Sequence, residues 1–239
     1  DAAQQRRVAE LRAAELRSAM DDYDDGASQS TDVDDRIRVC LRVRPPIGGD
    51  SIVTVDDDVT VRLEGARKSL AAQFDGVFDG DASQRDVYER GAGPAVRASL
   101  EGLHSTVLAY GQTGSGKTHT VFGGLLPSDP KPPPAGSADA EAAVEARAGV
   151  VSRALRELFE VAARREAAGE RLSIALSFFE IYNESLSDLF AAPASHTHAP
   201  PPVSVHEDEN GEVFVRGVVE QPVPTIAAAM RAVRRALRQ

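Results

Sequence analysis

An α/β fold organised around a phosphate-binding loop is predicted by three observations. Residues Gly111–Thr118, GQTGSGKT, fit G-x-x-x-x-G-K-[ST] at every position; Ser105–Tyr110, STVLAY, reads as a short buried strand leading into them; and Lys117 onward can open a helix. Each fixed position of the loop has a physical task. Gly111, Gly114 and Gly116 permit positive φ and close backbone approach, so that N–H groups along Gly111–Thr118, those of Gln112, Thr113 and Ser115 included, can turn toward one polyanion. Lys117 can place its ammonium on the β and γ phosphates of a nucleoside triphosphate, and the Thr118 hydroxyl can ligate Mg²⁺. A helix opening at Lys117 would aim its N-terminal dipole at the same phosphates.

The remaining elements follow in chain order. Residues 1–20 are rich in Ala, Arg, Glu and Gln and favour helix, but the heptad begun by Val8 and Leu11 continues with Glu15 and Ser18 and is not sustained. Residues 21–35 carry seven aspartates among Gly, Ser and Thr, which predicts a solvated acidic linker before an ordered domain spanning 36–239. RIRVCLRV, Arg36–Val43, largely alternates apolar and basic residues as a half-buried strand does, and Pro45 and Pro46 stop it. Strand-like pieces follow at Ile52–Val55 and Val59–Leu63. AAQFDGVF then leads into a helical pattern over Ser83–Leu100, which Gly102 ends.

Beyond the loop, 127–148 holds five prolines followed by Ala and Glu, and reads as an expanded surface loop. Val150–Ala168 has helical period, Leu172–Tyr182 is a long apolar strand, and Ala191–Pro202 is a Pro- and His-containing loop. Val203–Val218 reads as a strand pair around Asn210-Gly211, and Ile226–Leu237 as a last, basic helix.

Composition excludes several classes. With 27 basic and 37 acidic side chains the net charge is −10, which argues against nucleic acid as a partner of the whole chain. Cys40 is the only cysteine, so no internal disulfide forms and a reducing compartment is expected. No apolar run reaches the roughly 18 residues of a membrane span. A first residue Asp1 in place of Met implies a longer product. His196 and His198 lack a third ligand at metal spacing and read as solvated. Asp208–Gly211 matches D-x-x-G, a nucleotide-switch pattern, but falls in the expected hairpin turn.

TVLAYGQTGSGKTHT (Thr106–Thr120) resembles the nucleotide site of the kinesin motor domain, and five other segments match that family in order. They are IRVCLRVRP (Ile37–Pro45), FDGVF (Phe74–Phe78) with Gln84 and Val87-Tyr88 after it, GVVSRAL (Gly149–Leu155), FFEIYNESLSDLF (Phe178–Phe190) and VSVHEDENGEVFVRG (Val203–Gly217). The resemblance implies a phosphate-loop NTPase fold, a mixed central sheet with helices on both faces. It implies ATP and Mg²⁺ as cofactors, microtubules as partner, a location in the cytoplasm on the microtubule cytoskeleton, and an activity of microtubule-stimulated ATP hydrolysis driving movement. Arg42, Arg44 and Pro45 would line the adenine pocket, with His119 covering another side, since a guanidinium and a proline ring both pack on a purine face. Arg216 would lie on a microtubule-facing loop, where a basic residue meets an acidic surface. Tyr182 and Asn183, in EIYNE, would close a strand end through side-chain hydrogen bonds and take no catalytic part.

Ser105–Tyr110 and Val203–Gly217 also resemble plus-end-directed kinesins with N-terminal motors, such as the chromokinesin type, whereas a helical stretch before the motor suits a C-terminal one. The family's switch sequences, N-x-x-S-S-R-S-H and D-L-A-G-S-E, do not occur in these 239 residues. An incomplete sheet is therefore expected, with the Leu108 strand lacking both neighbours and the span unstable alone. No catalytic residue is assigned, because the groups that position water and stabilise the γ phosphate come partly from such switches. The alternative is a kinesin-derived module that binds nucleotide without hydrolysing it.

Overall fold

The computed structural model describes residues 37–46, 48, 51–65, 68–126, 138–191 and 202–238. The expected helix over 1–20, the acidic linker over 21–35, the prolines of 127–137, and His196 and His198 lie outside them. Every element described below belongs to the unit Val39–Gln239.

β1 (Cys40–Arg42) is shorter than the alternation of Arg36–Val43 predicts. β2 (Val53–Val55), β3 (Thr60–Glu64) and β4 (Ser69–Gln73) form an antiparallel meander. β4 was not expected, since its Ser-Leu-Ala-Ala-Gln sequence carries little strand preference; its place comes from a five-residue register against β3, Thr60 opposite Gln73 and Glu64 opposite Ser69. β5 (Gly76–Phe78) is fully buried and pairs in parallel with β1, Cys40 opposite Gly76 and Arg42 opposite Phe78. A Cβ at Gly76 would stand 3.4 Å from Cys40 Sγ, an ordinary contact distance.

The predicted helix over Ser83–Leu100 forms in three pieces: α1 (Gln84–Val87), a π-helical turn (Tyr88–Ala92) and α2 (Gly93–Leu100). Ser83 and Asp86 make a reciprocal capping box at its start, Asp86 N donating to Ser83 Oγ (3.1 Å) and Ser83 N to Asp86 Oδ2 (3.0 Å). Pro94 has no N–H to continue the ladder, and the chain widens ahead of it so that Gly93 N reaches Tyr88 O. Gly102, at φ 97°, ends α2 as expected.

Ser105–Tyr110 does not form the expected buried strand. No ladder is assigned to it among the described residues, and Leu108 is 77% and Tyr110 69% exposed. An apolar run is buried only if other strands cover it, and here none does. The short α3 (Lys117–Phe122) opens after the phosphate loop, as predicted. Part of the expected 127–148 loop folds as α4 (Ala138–Arg147), whose Ala- and Glu-rich sequence suits a helix better than a loop. α5 (Val150–Ala167) follows.

Leu172–Tyr182 splits into β6 (Ala175–Leu176) and β7 (Phe179–Tyr182). β7 forms a hairpin with β8 (Ser185–Asp188), Tyr182 opposite Ser185. Asn183 (φ 47°) and Glu184 (φ 62°) make its two-residue turn, so the strand end is closed by backbone geometry. The side-chain hydrogen bonds expected of Tyr182 and Asn183 are absent among the described residues, and Tyr182 is exposed. β9 (Ser204–Glu207) and β10 (Val213–Arg216) form the predicted strand pair. Its turn is held by Asp208 Oδ1, which accepts from Asn210 N and Glu212 N, both at 2.8 Å. D-x-x-G is thus a turn here, and those backbone donors hold the Asp208 carboxyl below the usual carboxylate range.

β11 (Gln221–Pro222) pairs with β6, and α6 (Ile226–Ala236) closes the chain. Ala229, Ala232, Val233 and Ala236 are buried at helical spacing and pack with Leu125, Leu155, Phe190 and Val223 into the main core. Thr225 Oγ1 caps α6 by accepting from Ala228 N (3.2 Å). We expect Thr225→Ala to lose about 1 kcal/mol of stability, read as a fall of roughly 2–4 °C in Tm in thermal denaturation.

The fold is therefore α/β with parallel and antiparallel pairing, the strands among the described residues divided among five small sheets. No described helix is long and apolar enough to cross a membrane.

Candidate functional site

The loop Gly111–Ser115 leaves the unpaired Ser105–Tyr110 segment and turns into α3 at Gly116. Gly114 (φ 81°) and Gly116 (φ 105°) occupy the left-handed region, where a side chain would strain the backbone. A Cβ on Gly111 would stand 2.5 Å from Ser115 Oγ. Ser115 N donates to Gln112 O (3.1 Å), drawing the loop into a tight bend with Gln112 and Thr113 exposed on it.

Lys117, on the first turn of α3, folds back over the bend. Its Nζ donates to Gly111 O (2.5 Å) and Gln112 O (3.0 Å), so the ammonium sits directly above the loop. Thr118 and His119 follow on α3 with exposed side chains. The donor set fits a triphosphate: one ammonium over a bend whose glycines leave the backbone uncovered, and one accessible hydroxyl beside it for a hard cation.

Arg44 Nη1 donates to Gly114 O, fastening the chain after β1 to the loop. Arg42, half-buried at the end of β1, donates through Nη1 to Thr120 Oγ1 (2.9 Å) on α3 and to Gln84 Oε1 (2.8 Å) at the start of α1. Burial lowers the Arg42 pKa from its ordinary value, yet a guanidinium keeps its charge. Gln84 in turn donates through Nε2 to His119 O (2.7 Å). Arg42, Arg44 and His119 are thus gathered at one edge of the loop. Pro45 lies exposed beyond β1 against Gly80, whose Cβ, if present, would stand 3.5 Å from Pro45 Cγ. Arg216, at the end of β10, is exposed and makes no ion pair among the described residues. No group of three or more His, Cys, Asp or Glu that could hold a metal occurs among the described residues.

Sequence reasoning placed Gln84 in a family match without a role and passed over Thr120. Gln84 is marked by a buried, hydrogen-bonded amide on the opening turn of α1, a feature of the structure that no sequence signal announces.

Fold and site define a phosphate-loop protein of the α/β class. A family profile described as the kinesin motor domain matches residues 27–239, and the chain belongs to that family. Kinesin-like protein KIN-5A of Arabidopsis thaliana is 32% identical over 209 residues, covering 79% of this chain and 18% of the relative. Kinesin-like protein KIF22 of Mus musculus is 31% identical over 203 residues, covering 80% and 27%. A solved structure of a fast kinesin aligns with a TM-score of 0.64 at 28% identity, covering 84% of this chain and 52% of that one. The chain thus spans about a fifth to a quarter of the length of these two curated relatives. Their similar identities single out no subfamily.

Proposed function

We propose that this chain carries the nucleotide-binding part of an ATP-driven microtubule motor acting on the cytoplasmic microtubule cytoskeleton. The observation that carries the reading is the Lys117 ammonium poised over a glycine-turned loop, with Arg42, Arg44 and His119 gathered at its edge. In this reading the loop amides of Gly111–Thr118 and Lys117 hold the phosphates of ATP, and Thr118 supplies a ligand to Mg²⁺. Arg42, Arg44, Pro45 and His119 flank the adenine. The bound Mg²⁺ supplies charge neutralisation on the phosphates; the chain's own residues bind and orient. Arg216 contributes a positive charge toward the acidic microtubule surface.

Neither switch sequence of the family occurs in the 239 residues, so this span is assigned binding and hydrolysis is assigned to groups it does not carry.

The experiment is to titrate Mg-ATP into the full-length protein and then measure ATP turnover with and without microtubules. Saturable binding with turnover that rises on adding microtubules is expected. Binding without any microtubule response would overturn the motor reading in favour of a nucleotide-binding module.

A further inference from the structure

We infer that Gln84 is the positioning residue for the base-binding edge of the nucleotide site: its buried amide fixes Arg42 and His119 relative to each other. The inference rests on the nucleotide reading of the loop and goes beyond it by naming the group that gives that edge its shape.

Gln84 is 6% exposed, and its side chain joins three separate parts of the chain. Oε1 accepts from Arg42 Nη1 at 2.8 Å, a contact across 42 residues of sequence, and Nε2 donates to His119 O at 2.7 Å across 35. The amide's orientation is not arbitrary. A guanidinium can only donate and a carbonyl can only accept, so the oxygen must face Arg42 and the nitrogen must face His119. Reversing it would set NH₂ against guanidinium and oxygen against oxygen. Nε2 also lies 3.3 Å from His119 Nε2, close enough for its second hydrogen to hold the ring in the tautomer protonated at Nδ1.

Gln84 itself has little capacity left for a ligand, with both ends engaged inside the protein. Its effect passes through its partners. Arg42 makes its described hydrogen bonds to Gln84 and Thr120 through Nη1, and His119 is an exposed residue whose ring face can pack on a base. Arginine and histidine are long or freely rotating side chains, and holding both costs conformational entropy that would otherwise be lost on binding. A preset amide bearing on both removes that cost from the base and leaves the phosphates untouched, because on α3 Gln84 bonds to His119 and, among the described residues, to none of Gly111–Thr118. The capping box of Ser83 and Asp86 fixes the backbone immediately beside it, so the amide starts from a rigid position.

Comparing a ligand with a base to one without isolates this role. In the full-length protein, affinities for Mg-ATP and for magnesium tripolyphosphate are measured by calorimetry for the unsubstituted protein, Gln84→Met and Gln84→Glu. Met preserves length and volume and removes both polar functions. Mg-ATP affinity is expected to fall about tenfold in Gln84→Met while tripolyphosphate affinity stays within about twofold. Glu keeps the acceptor for Arg42 but turns an oxygen toward His119 O, so it too loses ATP affinity selectively. Equal losses for both ligands, or no loss for either, would overturn the inference, as would full ATP affinity in Gln84→Glu, which would make the His119 link irrelevant. If the unsubstituted protein binds neither ligand, the nucleotide reading falls and the inference with it; if it binds ATP and Gln84→Met binds it equally well, only the inference falls.

Discussion

Replacing Lys117 with alanine should lower Mg-ATP affinity by about a hundredfold or more, since truncating one partner of a desolvated, hydrogen-bonded charge pair costs roughly 2–5 kcal/mol. Lys117 is the side chain whose ammonium lies over the loop, and the net charge of −10 over the whole chain makes a local cation there more valuable to a triphosphate. Its present partners are two backbone carbonyls, Gly111 O and Gln112 O, so the ammonium can exchange dipoles for phosphate oxygens without leaving the loop. Nothing in the main core depends on it: Leu155, Phe190, Val223 and Ala229 pack on the other elements. Thermal unfolding of Lys117→Ala without nucleotide should therefore match the unsubstituted protein within about 2 °C, as for a surface substitution. Equilibrium titration with a fluorescent ATP analogue gives the affinity. An undiminished affinity would mean that the phosphates sit elsewhere, and the loop reading would be lost.

How much of this was open to sequence reasoning depends on how local each signal is. The glycines of Gly111–Thr118 state their task through spacing alone, and the structure gives Gly114 and Gly116 the positive φ their chemistry permits. α5 and α6 were legible from a period of buried positions, and the strand pair around Asn210-Gly211 from turn chemistry. Ser105–Tyr110 divides the two: its apolar run alone predicts a buried strand, whereas the family resemblance implies that the Leu108 strand lacks both neighbours, and among the described residues it stands exposed without a ladder. The β7–β8 turn was misread for a related reason: Asn183 carries both a hydrogen-bonding amide and a tolerance for positive φ, and the structure uses the second. Gln84 was invisible as a functional group because its partners lie 35 and 42 residues away, a distance over which no periodicity speaks.

The join between α3 and α5 is where a single methyl group should do the most damage to the fold. The chain leaves α3 at Gly123 and returns at Gly149, and the two ends of the intervening 124–148 excursion pinch together: Gly123 bridges Ala148, and Gly124 N donates to Arg147 O (2.9 Å). A Cβ on Gly149 would stand 2.7 Å from both Gly123 N and Val121 O and 2.8 Å from the Phe122 carbonyl carbon, all backbone atoms that no rotamer change can move aside. Gly123 is tighter still, with φ 53° and Arg147 O only 2.1 Å from its would-be Cβ. Relief would require separating α3 from α5, and that breaks the Gly123–Ala148 bridge and the Gly124 N to Arg147 O bond that hold the pinch together. Gly149→Ala should therefore cost roughly 3 kcal/mol, a drop of about 6–12 °C in Tm for a chain of this size. Gly169→Ala is the matched control: φ is 92° but nothing lies within 4 Å, so only the left-handed penalty of roughly 1–2 kcal/mol applies. The consequence reaches the site, because α3 carries Lys117 and Thr118 and its far end is held to α5 at this pinch. Mg-ATP affinity should fall in Gly149→Ala even at temperatures where the chain remains folded, and should be unchanged in Gly169→Ala. A Gly149→Ala protein as stable as Gly169→Ala would show that the pinch yields, and that α3 is positioned by the loop and by Arg42 instead.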